Sequence, residues 1–566
     1  MNVAVQKLFT GAMIAIALAA MLLTHTTAGL LSTTQTVPSN GTITARVLSL
    51  TLGSSSNPAK TARSILISGQ IATVGNGNYS NLSIDIQYSQ DQSTWHNIST
   101  VTTNSSGTFE TVFAFPSSGI YFVRATCGDQ VNSYSQLVVD RFVNLNGSED
   151  SVDIQTAIDS LPSTGGIVYI RSGLYDLNGK SLVLRSDLTL IGDGIDRTIV
   201  RLFPTMHTDD SMGVADAITS EADITNLLIE NFTVIQNVVP MNHHGGIDLR
   251  GNMNNNIIVR NVKVTDVSGP GICINNNYDN LLVENCIVER VWTGIVFGSG
   301  DNAIVRGNVV IDTTGDGIYP EGSSSNVIIE NNYLENIGDT AIDITPWTGG
   351  TAHEHVIVRN NTIKNGSIRV TNSFDVQIVG NSIYYGEIAV DSGQGTPVAV
   401  EIIGNLIVST GNAAIAFYGA ANSSAENNII RMEPPSSGVI QSGIIAAIWT
   451  SGLIEGNTIS GGDYSIDFGG WKLGWECNIT IRNNKLFDFK QYGIYDDGLN
   501  QNYVNVAKNE IYSMQPTALW GVLTGNPGST WTIENNALKV NQLVGNQAIN
   551  APTSTLTGNY EYVPVP

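Results

Sequence analysis

A short strand pattern repeats every twenty-odd residues between Asp248 and Asp391, and this repeat limits the folds open to the chain. Its copies read GIDLRG, GICINN, GIVFGS, GIYPEG, AIDITP, SIRVTN and EIAVDS. Each copy alternates apolar residues with variable ones, as a strand does when one of its faces is buried. Strands that repeat in this way bury their apolar sides by stacking, so the repeat predicts a solenoid.

A second repeated element marks a corner of the predicted solenoid. The pattern apolar-x-apolar-x-[Asn/Gly]-Asn-x-apolar places an Asn at positions 231, 261, 285, 308, 332, 361, 381, 405, 428, 457, 484, 509 and 536. Asn and Gly tolerate the left-handed backbone of a sharp corner, and the amide of a stacked Asn can pair with the next coil. We therefore expect about thirteen parallel coils, spaced about 4.8 Å apart, with an Asn at the same corner of each.

The period changes just before the first coil. Ile154, Ala157, Ile158 and Leu161 fall at i, i+3, i+4 and i+7, which predicts one short amphipathic helix. The helix leads into Gly-Gly-Ile-Val-Tyr-Ile, then Gly-Leu-Tyr, then Leu-Ile-Gly-Asp-Gly-Ile-Asp-Arg-Thr. This order resembles the opening of pectin-lyase-like right-handed parallel β-helices, in which the helix plugs the open end. The resemblance implies an all-β fold, with the capping helix and β-helix over 149–550 and a C-terminal cap over 551–566.

Two further segments precede the solenoid. The apolar run from Leu8 to Leu23, followed by small residues, predicts a secretory signal peptide over 1–29, with a retained membrane anchor as the alternative. Residues 40–142 alternate short apolar strands with Gly, Asn and Ser turns, which predicts a small β-sandwich. This segment resembles the immunoglobulin-like accessory modules of secreted surface proteins. The chain is therefore expected to be secreted or held at the cell surface.

The charge composition limits the partners of the chain. The net charge is −23 although only 13% of the residues are charged. Nucleic acid is excluded as a partner because a phosphate backbone needs a basic surface. Stacked acids can hold divalent cations, so Ca²⁺ is the cofactor to consider. The four cysteines are scattered and predict neither a zinc site nor a disulfide framework.

The outward positions of the repeated strands hold the residues that can carry chemistry, because the Ile residues between them point inward. The loops before the strands add Asp316 and Asp339, whereas His353 and His355 are expected to be solvated in a loop. The candidate catalytic residues are Glu321, Asp343, Arg369 and Asp391. The candidate substrate-binding residues are His244, Asp248, Arg250, Asn275, Tyr319, Trp347 and Tyr418. The candidate Ca²⁺ ligands are Glu321, Asp343 and Asp391.

Two enzymatic chemistries suit these residues and a glycan substrate. A polysaccharide lyase needs a base and a cation that neutralises the enolate; pectate lyases use an arginine as base, which points to Arg369. A glycoside hydrolase needs two carboxyls, and Asp343 can pair with Glu321 or with Asp391. The Asn-Thr-Asp-Gly and Gly-His-Gly motifs of polygalacturonases and the Asp-Pro-His-Glu motif of alginate epimerases are absent. We therefore favour the lyase, acting on acidic or cell-surface polysaccharide.

A non-catalytic protein that binds glycans or builds an envelope layer is the alternative. In that interpretation Asp343, Arg369 and Asp391 form a ladder of surface salt bridges worth under about 1 kcal/mol per pair.

Overall fold

The computed structural model describes residues 47–54, 59–60, 64–73, 80–90, 94–116, 119–127, 131–140, 151–177, 180–202, 216–236, 245–346, 350–392, 395–435, 438–448, 450–468, 476–496, 498, 502–525 and 528–563. The predicted signal peptide over 1–29, His244 and Trp347 lie outside these ranges. The chain divides into two compact units, 1–143 and 144–566. No helix within the described ranges is long and apolar enough to cross a membrane.

The first unit contains two small sheets. Its strands are β1 (Val47–Ser54), β2 (Ala59–Lys60), β3 (Ile65–Thr73), β4 (Ser83–Ser89), β5 (His96–Thr102), β6 (Thr108–Phe113), β7 (Gly119–Cys127) and β8 (Val131–Asp140). The sheet orders are β1-β3-β6 and β2-β8-β7-β4-β5. Ile67 and Phe109 of the first sheet share one buried core with Ile86 and Val123 of the second. A core between two sheets is the arrangement that the alternating pattern predicts.

One helix, α1 (Ser151–Asp159), opens the second unit. The four apolar residues that predicted it, Ile154, Ala157, Ile158 and Leu161, are 0 to 4% exposed. The helix lies against the strands Gly166–Ile170 and Leu182–Val183 of the first coil. The prediction of a capping helix is confirmed.

The rest of the second unit is a β-solenoid of about 14 coils, close to the thirteen predicted. Each coil contributes parallel strands to three faces, which we number in chain order within a coil. Face 1 carries the repeated pattern that predicted the fold. Faces 1 and 2 join into one sheet, because Ile272–Glu284 and Ile295–Arg306 run from one face onto the other.

Face 1 consists of Leu182–Val183, Ile218–Ser220, Ile247–Leu249, the starts of Ile272–Glu284 and Ile295–Arg306, Ile318–Pro320, Ile342–Ile344, Ile368–Thr371, Ile388–Asp391, Ala413–Tyr418, Ser442–Ala447, Tyr464–Asp467, Tyr492–Asp496, Trp520–Thr524 and Ile549–Asn550. Face 2 consists of Gly166–Ile170, Leu188–Gly192, Ile224–Glu230, Met253–Arg260, the ends of the two shared strands, Ser324–Glu330, His353–Arg359, Ser373–Val379, Val398–Ile403, Ser423–Glu426, Ser451–Glu455, Asn478–Arg482, Tyr503–Ala507, Thr530–Glu534 and Thr555–Thr557. Face 3 consists of Gly173–Asp176, Thr198–Leu202, Thr233–Gln236, Lys263–Thr265, Ile287–Glu289, Val309–Thr313, Tyr333–Ile337, Thr362–Lys364, Ser382–Tyr384, Leu406–Ser409, Ile429–Met432, Thr458–Gly461, Lys485–Phe487, Glu510–Ser513, Ala537–Val540 and Tyr560–Glu561, with Leu543–Val544 antiparallel beside Ala537–Val540 and a 3₁₀ turn at Gly545–Ala548.

The Gly before Ile in the face 1 repeat is explained by the closeness of successive coils. A Cβ atom built on Gly246 would lie 2.7 Å from the carbonyl oxygen of Gly271 in the next coil and 2.4 Å from Val264 Cγ1. Both distances are too short for carbon, so only glycine allows this packing. The Ile that follows each glycine, as at Ile247 and Ile272, is fully buried in the solenoid core.

The corner between faces 2 and 3 carries an Asn ladder. Asn332 Nδ2 donates to Asn361 Oδ1 at 3.0 Å and to the carbonyl oxygen of Val305 at 2.9 Å. The Asn361 Oδ1 atom also accepts the backbone N–H of Asn332 at 2.9 Å. The same bonds join Asn308, Asn332, Asn361, Asn381, Asn405, Asn428, Asn457, Asn484, Asn509, Asn536 and Asn559. Each buried amide is thus fully hydrogen-bonded.

The first three asparagines of the predicted ladder are not part of it. Asn231, Asn261 and Asn285 occupy the preceding position, where their φ angles are 64°, 51° and 54°. The ladder position of those coils holds Phe232, Val262 and Cys286, which are fully buried. The prediction therefore merged two adjacent columns, a left-handed corner residue and a buried amide, because asparagine suits both.

Candidate functional site

The outward residues of face 1 follow the predicted column through its N-terminal and central coils. Strand pairing aligns Asp248 with Cys273, Cys273 with Val296, and Val296 with Tyr319. Pairing of Ile318 with Ile342 carries the column to the coil of Asp343, and Asp343 aligns with Arg369. Two groups of acids result, one around Asp248 and one around Asp343.

The N-terminal group consists of two buried acids and one arginine. Asp216 and Asp248 are 1% and 5% exposed. Arg250 Nη2 lies 2.6 Å from Asp216 Oδ2, and Arg250 Nε lies 3.0 Å from Asp248 Oδ2. Asn275 Nδ2 donates to Asp248 Oδ1. Burial and the nearby Asp248 carboxylate raise the pKa of Asp216 to about 7, although Arg250 opposes this shift.

These contacts bear on three of the predicted substrate-binding residues, Asp248, Arg250 and Asn275. The acid is buried and its oxygens are occupied by the other two side chains, so it does not line an open groove. Arg250 contacts both carboxyls and balances one negative charge, while the raised pKa of Asp216 favours a proton on the other acid. We interpret this group as structural.

The central group is formed by Asp316, Tyr319, Glu321, Asp339 and Asp343 from adjacent coils. Burial, together with the smaller effect of the charges of Asp316 and Asp339, raises the pKa of Asp343 to about 7. The hydroxyl of Thr345, which donates to Asp343 Oδ1, and the charge of Arg369 act in the opposite direction. A carboxyl with this pKa is half-protonated near neutral pH.

The other members of the central group have shifted pKa values as well. Burial raises the pKa of Glu321, and it raises the pKa of Asp316 against a hydrogen bond of 3.1 Å from the Thr340 amide. Burial raises the pKa of Tyr319 too, and the charges of Glu321, Asp343 and Asp316 add to the effect. The phenol of Tyr319 is thus surrounded by carboxyls and stays protonated.

Arg369 and Asp391 form an ion pair beside the central group. Arg369 Nε lies 3.0 Å from Asp391 Oδ2, and the two side chains are 43% and 20% exposed. Burial lowers the pKa of Arg369, but the hydrogen bond and charge of Asp391 outweigh it and the pKa is raised. Within the described residues no ion pair joins Arg369 to Asp343, although the two are aligned. The prediction of a salt-bridge ladder is therefore wrong for the pair Asp343 and Arg369.

Tyr418 extends the face beyond Asp391, with which it is aligned in the next coil. Burial raises the pKa of Tyr418 to about 12, and the charges of Glu387, Asp467 and Asp391 contribute. Glu387 was missed in the sequence; burial raises its pKa as well. Asp216 was also missed. Glu387 immediately precedes the inward Ile of its face 1 strand, and Asp216 lies two residues before the inward Ile of its own. An acid at this point of the repeat is the sequence signal that could have identified both.

His353 and His355 differ from the prediction of solvated loop residues. Both lie in the face 2 strand His353–Arg359. His353 is fully buried, and its Nδ1 atom accepts the Ser324 amide at 3.2 Å. Only His355 is exposed, with Nδ1 3.0 Å from Asp375 Oδ2. The face 2 strand therefore begins at His353, closer in sequence to Asp343 than the polar residues of this segment indicated.

The structure does not bring the predicted Ca²⁺ ligands Glu321, Asp343 and Asp391 together as one set. Among the described residues no three His, Cys, Asp or Glu side chains converge as metal ligands. Asp391 is engaged by Arg369, and the raised pKa of Asp343 favours a protonated carboxyl, which is a poor ligand for a hard cation. No chemical step is therefore assigned to a metal.

Comparison with known proteins agrees with the architecture. Residues 219–383 match the family model described as "Right handed beta helix region". No curated protein matches the sequence. The similar solved structures include the catalytic unit of a thermostable GH87 alpha-1,3-glucanase from Streptomyces thermodiastaticus, with 15% identity, 87% of each chain covered and a TM-score of 0.36.

Two further structures are similar at the same level. DFA-IIIase from Arthrobacter chlorophenolicus in complex with GF2 has 12% identity and a TM-score of 0.38, covering 63% of this chain and 95% of that one. PfbA, a surface adhesin of Streptococcus pneumoniae, has 15% identity and a TM-score of 0.37, covering 66% of this chain and 90% of that one. At these values the likeness carries no argument about activity. Residues 219–383 form a right-handed β-helix region, and the stacked coils before and after them continue the solenoid from Gly166 to Glu561.

Proposed function

We propose that the chain hydrolyses a glycan at the central group of face 1, with Asp343 as the general acid. The observation that carries the proposal is the pKa of about 7 at Asp343, caused by burial beside other acids. Cleavage of a glycosidic bond requires a proton on the leaving oxygen. A carboxyl that keeps its proton near neutral pH, next to acids in different surroundings, is how such sites divide the acid and base roles.

Glu321 is the proposed partner of Asp343. It lies in the preceding coil, two residues after Tyr319, and Tyr319 is the residue that stacks beside Asp343. A coil spacing of about 4.8 Å and a rise of about 3.3 Å per residue place the two Cα atoms about 8 Å apart. Side chains that point the same way from these positions can place their carboxyls at the separation of about 6.5–9.5 Å that leaves room for the water of an inverting reaction. Glu321 would then activate that water.

The charge of the site favours a neutral glycan over an acidic one. The chain carries a net charge of −23, and Asp316 and Asp339 add carboxyls beside Asp343. A polyanionic substrate would be repelled. The half-buried rings of Tyr319 and Tyr418 offer apolar surface to sugar rings along the same face. We also propose that this activity is exercised outside the cell or at its surface, where polymeric glycans occur.

The lyase that the sequence favoured has weaker support. Its base would be Arg369, whose pKa is raised by Asp391 and which therefore holds its proton. Its cation would need Asp343, whose pKa of about 7 favours the protonated form, and Asp391, which is paired with Arg369. An arginine that gives up its proton and carboxyls that hold a cation are therefore both disfavoured by the electrostatics of the central group.

A panel of neutral and acidic polysaccharides tests the proposal, with reducing ends and unsaturated uronate absorbance measured with and without Ca²⁺. The expected result is reducing ends from a neutral glycan, no uronate absorbance and no effect of Ca²⁺. Asp343→Asn and Glu321→Gln should each lower kcat by at least 100-fold. Asp196→Asn, in an exposed turn, is the matched control.

Three outcomes contradict the proposal. Uronate absorbance that depends on Ca²⁺ would restore the lyase. Glycan binding without release from any substrate would establish the non-catalytic alternative. Full activity in Asp343→Asn would move the chemistry away from the central group.

A further inference from the structure

Face 2 carries an unusual column of outward aliphatic side chains. Strand pairing aligns Leu228 with Ile258, and the column continues through Leu282, Ile304 and Ile328 to Ile357, over six successive coils. All six side chains are partly exposed. We call them the aliphatic column. The same column turns polar in the next two coils, at Gln377 and Glu401.

The aliphatic column forms the floor of a shallow groove. The groove has a volume of about 600 Å³ and is lined by five of the six aliphatic side chains and by Asn256, Asn280, Asn302 and Asn326. These asparagines are corner residues with φ angles of 53° to 59°. Ordinary solvent-facing strand positions are polar, so an apolar floor of this length indicates a surface that is covered by a partner.

A column of alternating charges borders the aliphatic column on its other side. Two residues further along each strand, the same six coils carry Glu230, Arg260, Glu284, Arg306, Glu330 and Arg359 in register. Within one molecule these side chains form three ion pairs. The nitrogen–oxygen distance is 2.8 Å for Arg260–Glu230 and 2.7 Å for Arg306–Glu284 and Arg359–Glu330. In every pair the arginine uses the Oε2 atom. The Oε1 atoms of Glu284 and Glu330 can accept an arginine from another molecule, whereas Oε1 of Glu230 already accepts Asn231 Nδ2 at 3.3 Å.

This order of charges is complementary to its own reverse. A two-fold axis in the plane of face 2, crossing the solenoid between Glu284 and Arg306, reverses the order of the coils in a second copy. Glu230 then faces Arg359, Arg260 faces Glu330, and Glu284 faces Arg306. The two aliphatic columns face each other throughout. A two-fold axis parallel to the solenoid would instead lay the charges on the asparagine corners.

We propose that two copies of this chain pair through face 2, antiparallel, with the aliphatic columns in contact and the charged columns facing each other. Such self-complementarity is the property of an isologous interface. The proposal does not depend on the proposed function, because the central group lies on face 1.

The size of the surface sets the strength of the pairing. Six coils at about 4.8 Å and three outward columns at about 6.6 Å give roughly 550 Å² per copy, or about 1,100 Å² in total. A specific interface buries at least about 1,000 Å², so this one lies at the lower limit of stable interfaces. The dimer should therefore dissociate on dilution.

Sedimentation equilibrium of the full chain over a range of concentrations tests the pairing. The expected result is a reversible monomer–dimer equilibrium. Ile304→Lys, at the centre of the aliphatic column, should weaken dimerisation at least 100-fold because two lysines would enter the apolar contact. Thr480→Lys, in the same column but four coils beyond Gln377 and outside the groove, is the matched control and should leave the equilibrium unchanged.

The order of charges provides a second test. Arg306→Glu should weaken the dimer because Glu284 of each copy then faces a glutamate. Adding Glu284→Arg exchanges the central pair, keeps the reversed order complementary and should restore dimerisation. Leu282→Cys lies next to the two-fold axis and should be cross-linked between copies by a short bismaleimide, whereas Gln377→Cys should not be.

The results that would overturn the proposal are distinct. A wild-type chain that stays monomeric at every soluble concentration refutes it, whatever else binds face 2. A dimer unaffected by Ile304→Lys uses another surface. Cross-linking of Gln377→Cys as well as of Leu282→Cys would show a parallel arrangement, in which every position faces its own copy.

Discussion

Replacing Asp343 by Asn should stabilise the protein while it removes the proposed activity. The folded chain holds the pKa of Asp343 at about 7, against a reference value of 3.8. The native state therefore binds this proton more tightly than the unfolded state does. The resulting stability is fully present below about pH 4 and is lost as the pH rises to about 7. Asn cannot ionise, so the variant escapes this loss.

The size of the effect follows from the same shift. A difference of about three pKa units corresponds to about 4 kcal/mol at most, at 1.36 kcal/mol per unit. Relaxation around the charged carboxylate and the hydrogen bond from Thr345 reduce this value, so a gain of about 2 kcal/mol is expected near pH 8. The gain should fall toward zero near pH 4, where both proteins are uncharged at this position.

Urea unfolding of the wild type and of Asp343→Asn at several pH values measures the gain directly. Asp196→Asn removes one exposed carboxylate and should change the midpoint by little at any pH. The reasoning is refuted if Asp343→Asn is destabilising near pH 8. That result would show that Asp343 is ionised in the fold and is held by Arg369, as in a salt-bridge ladder.

Three other substitutions test parts of the scaffold. Asn361→Ala leaves two buried donors of the neighbouring coil unpaired and should cost about 2–6 kcal/mol, whereas the exposed Asn505→Ala should cost under about 0.5 kcal/mol by calorimetry. Arg250→Ala leaves two buried acids without a cation and should cost about 3–5 kcal/mol near pH 8, less near pH 5, by thermal unfolding at each pH. Burial lowers the pKa of His353 to about 4, so stability should be lost as the pH falls from 6.5 to 4; His353→Gln should remove that loss in urea midpoints.

Strand periodicity made the fold predictable from the sequence, because a buried face imposes alternation in every coil. The glycine before the inward Ile in several coils, as at Gly246 and Gly271, and the asparagine corner follow from close stacking, so they recur visibly. The ladder assignment failed for Asn231, Asn261 and Asn285 because asparagine satisfies two adjacent corner positions for different reasons. Pattern matching cannot separate a left-handed backbone from a buried amide when one residue type suits both.

The candidate site was less predictable because its properties depend on how deeply each side chain is buried and on which side chain of a neighbouring coil it contacts. The sequence placed Asp343 and Arg369 side by side, which is correct for the backbone, yet the arginine pairs with Asp391. Whether an outward residue is open to solvent was equally hidden. Asp248 occupies the same column as Asp343 but is 5% exposed and neutralised by Arg250.

The contrast between the two acid groups gives the strongest reason to place chemistry at Asp343. Both groups bury carboxyls on the same face and raise the pKa of one of them to about 7. In the N-terminal group an arginine contacts both acids, so one carboxylate is balanced by an ion pair and the proton favoured on Asp216 removes much of the second charge. In the central group Arg369 pairs with Asp391, so Asp343 keeps the hydrogen bond from Thr345 but has no ion pair among the described residues. A fold that only needed stability would gain from an arginine at Asp343, since the N-terminal group shows that this scaffold accommodates one. An acid kept protonated beside other carboxyls is a cost to the native state, and such costs are typical of functional sites.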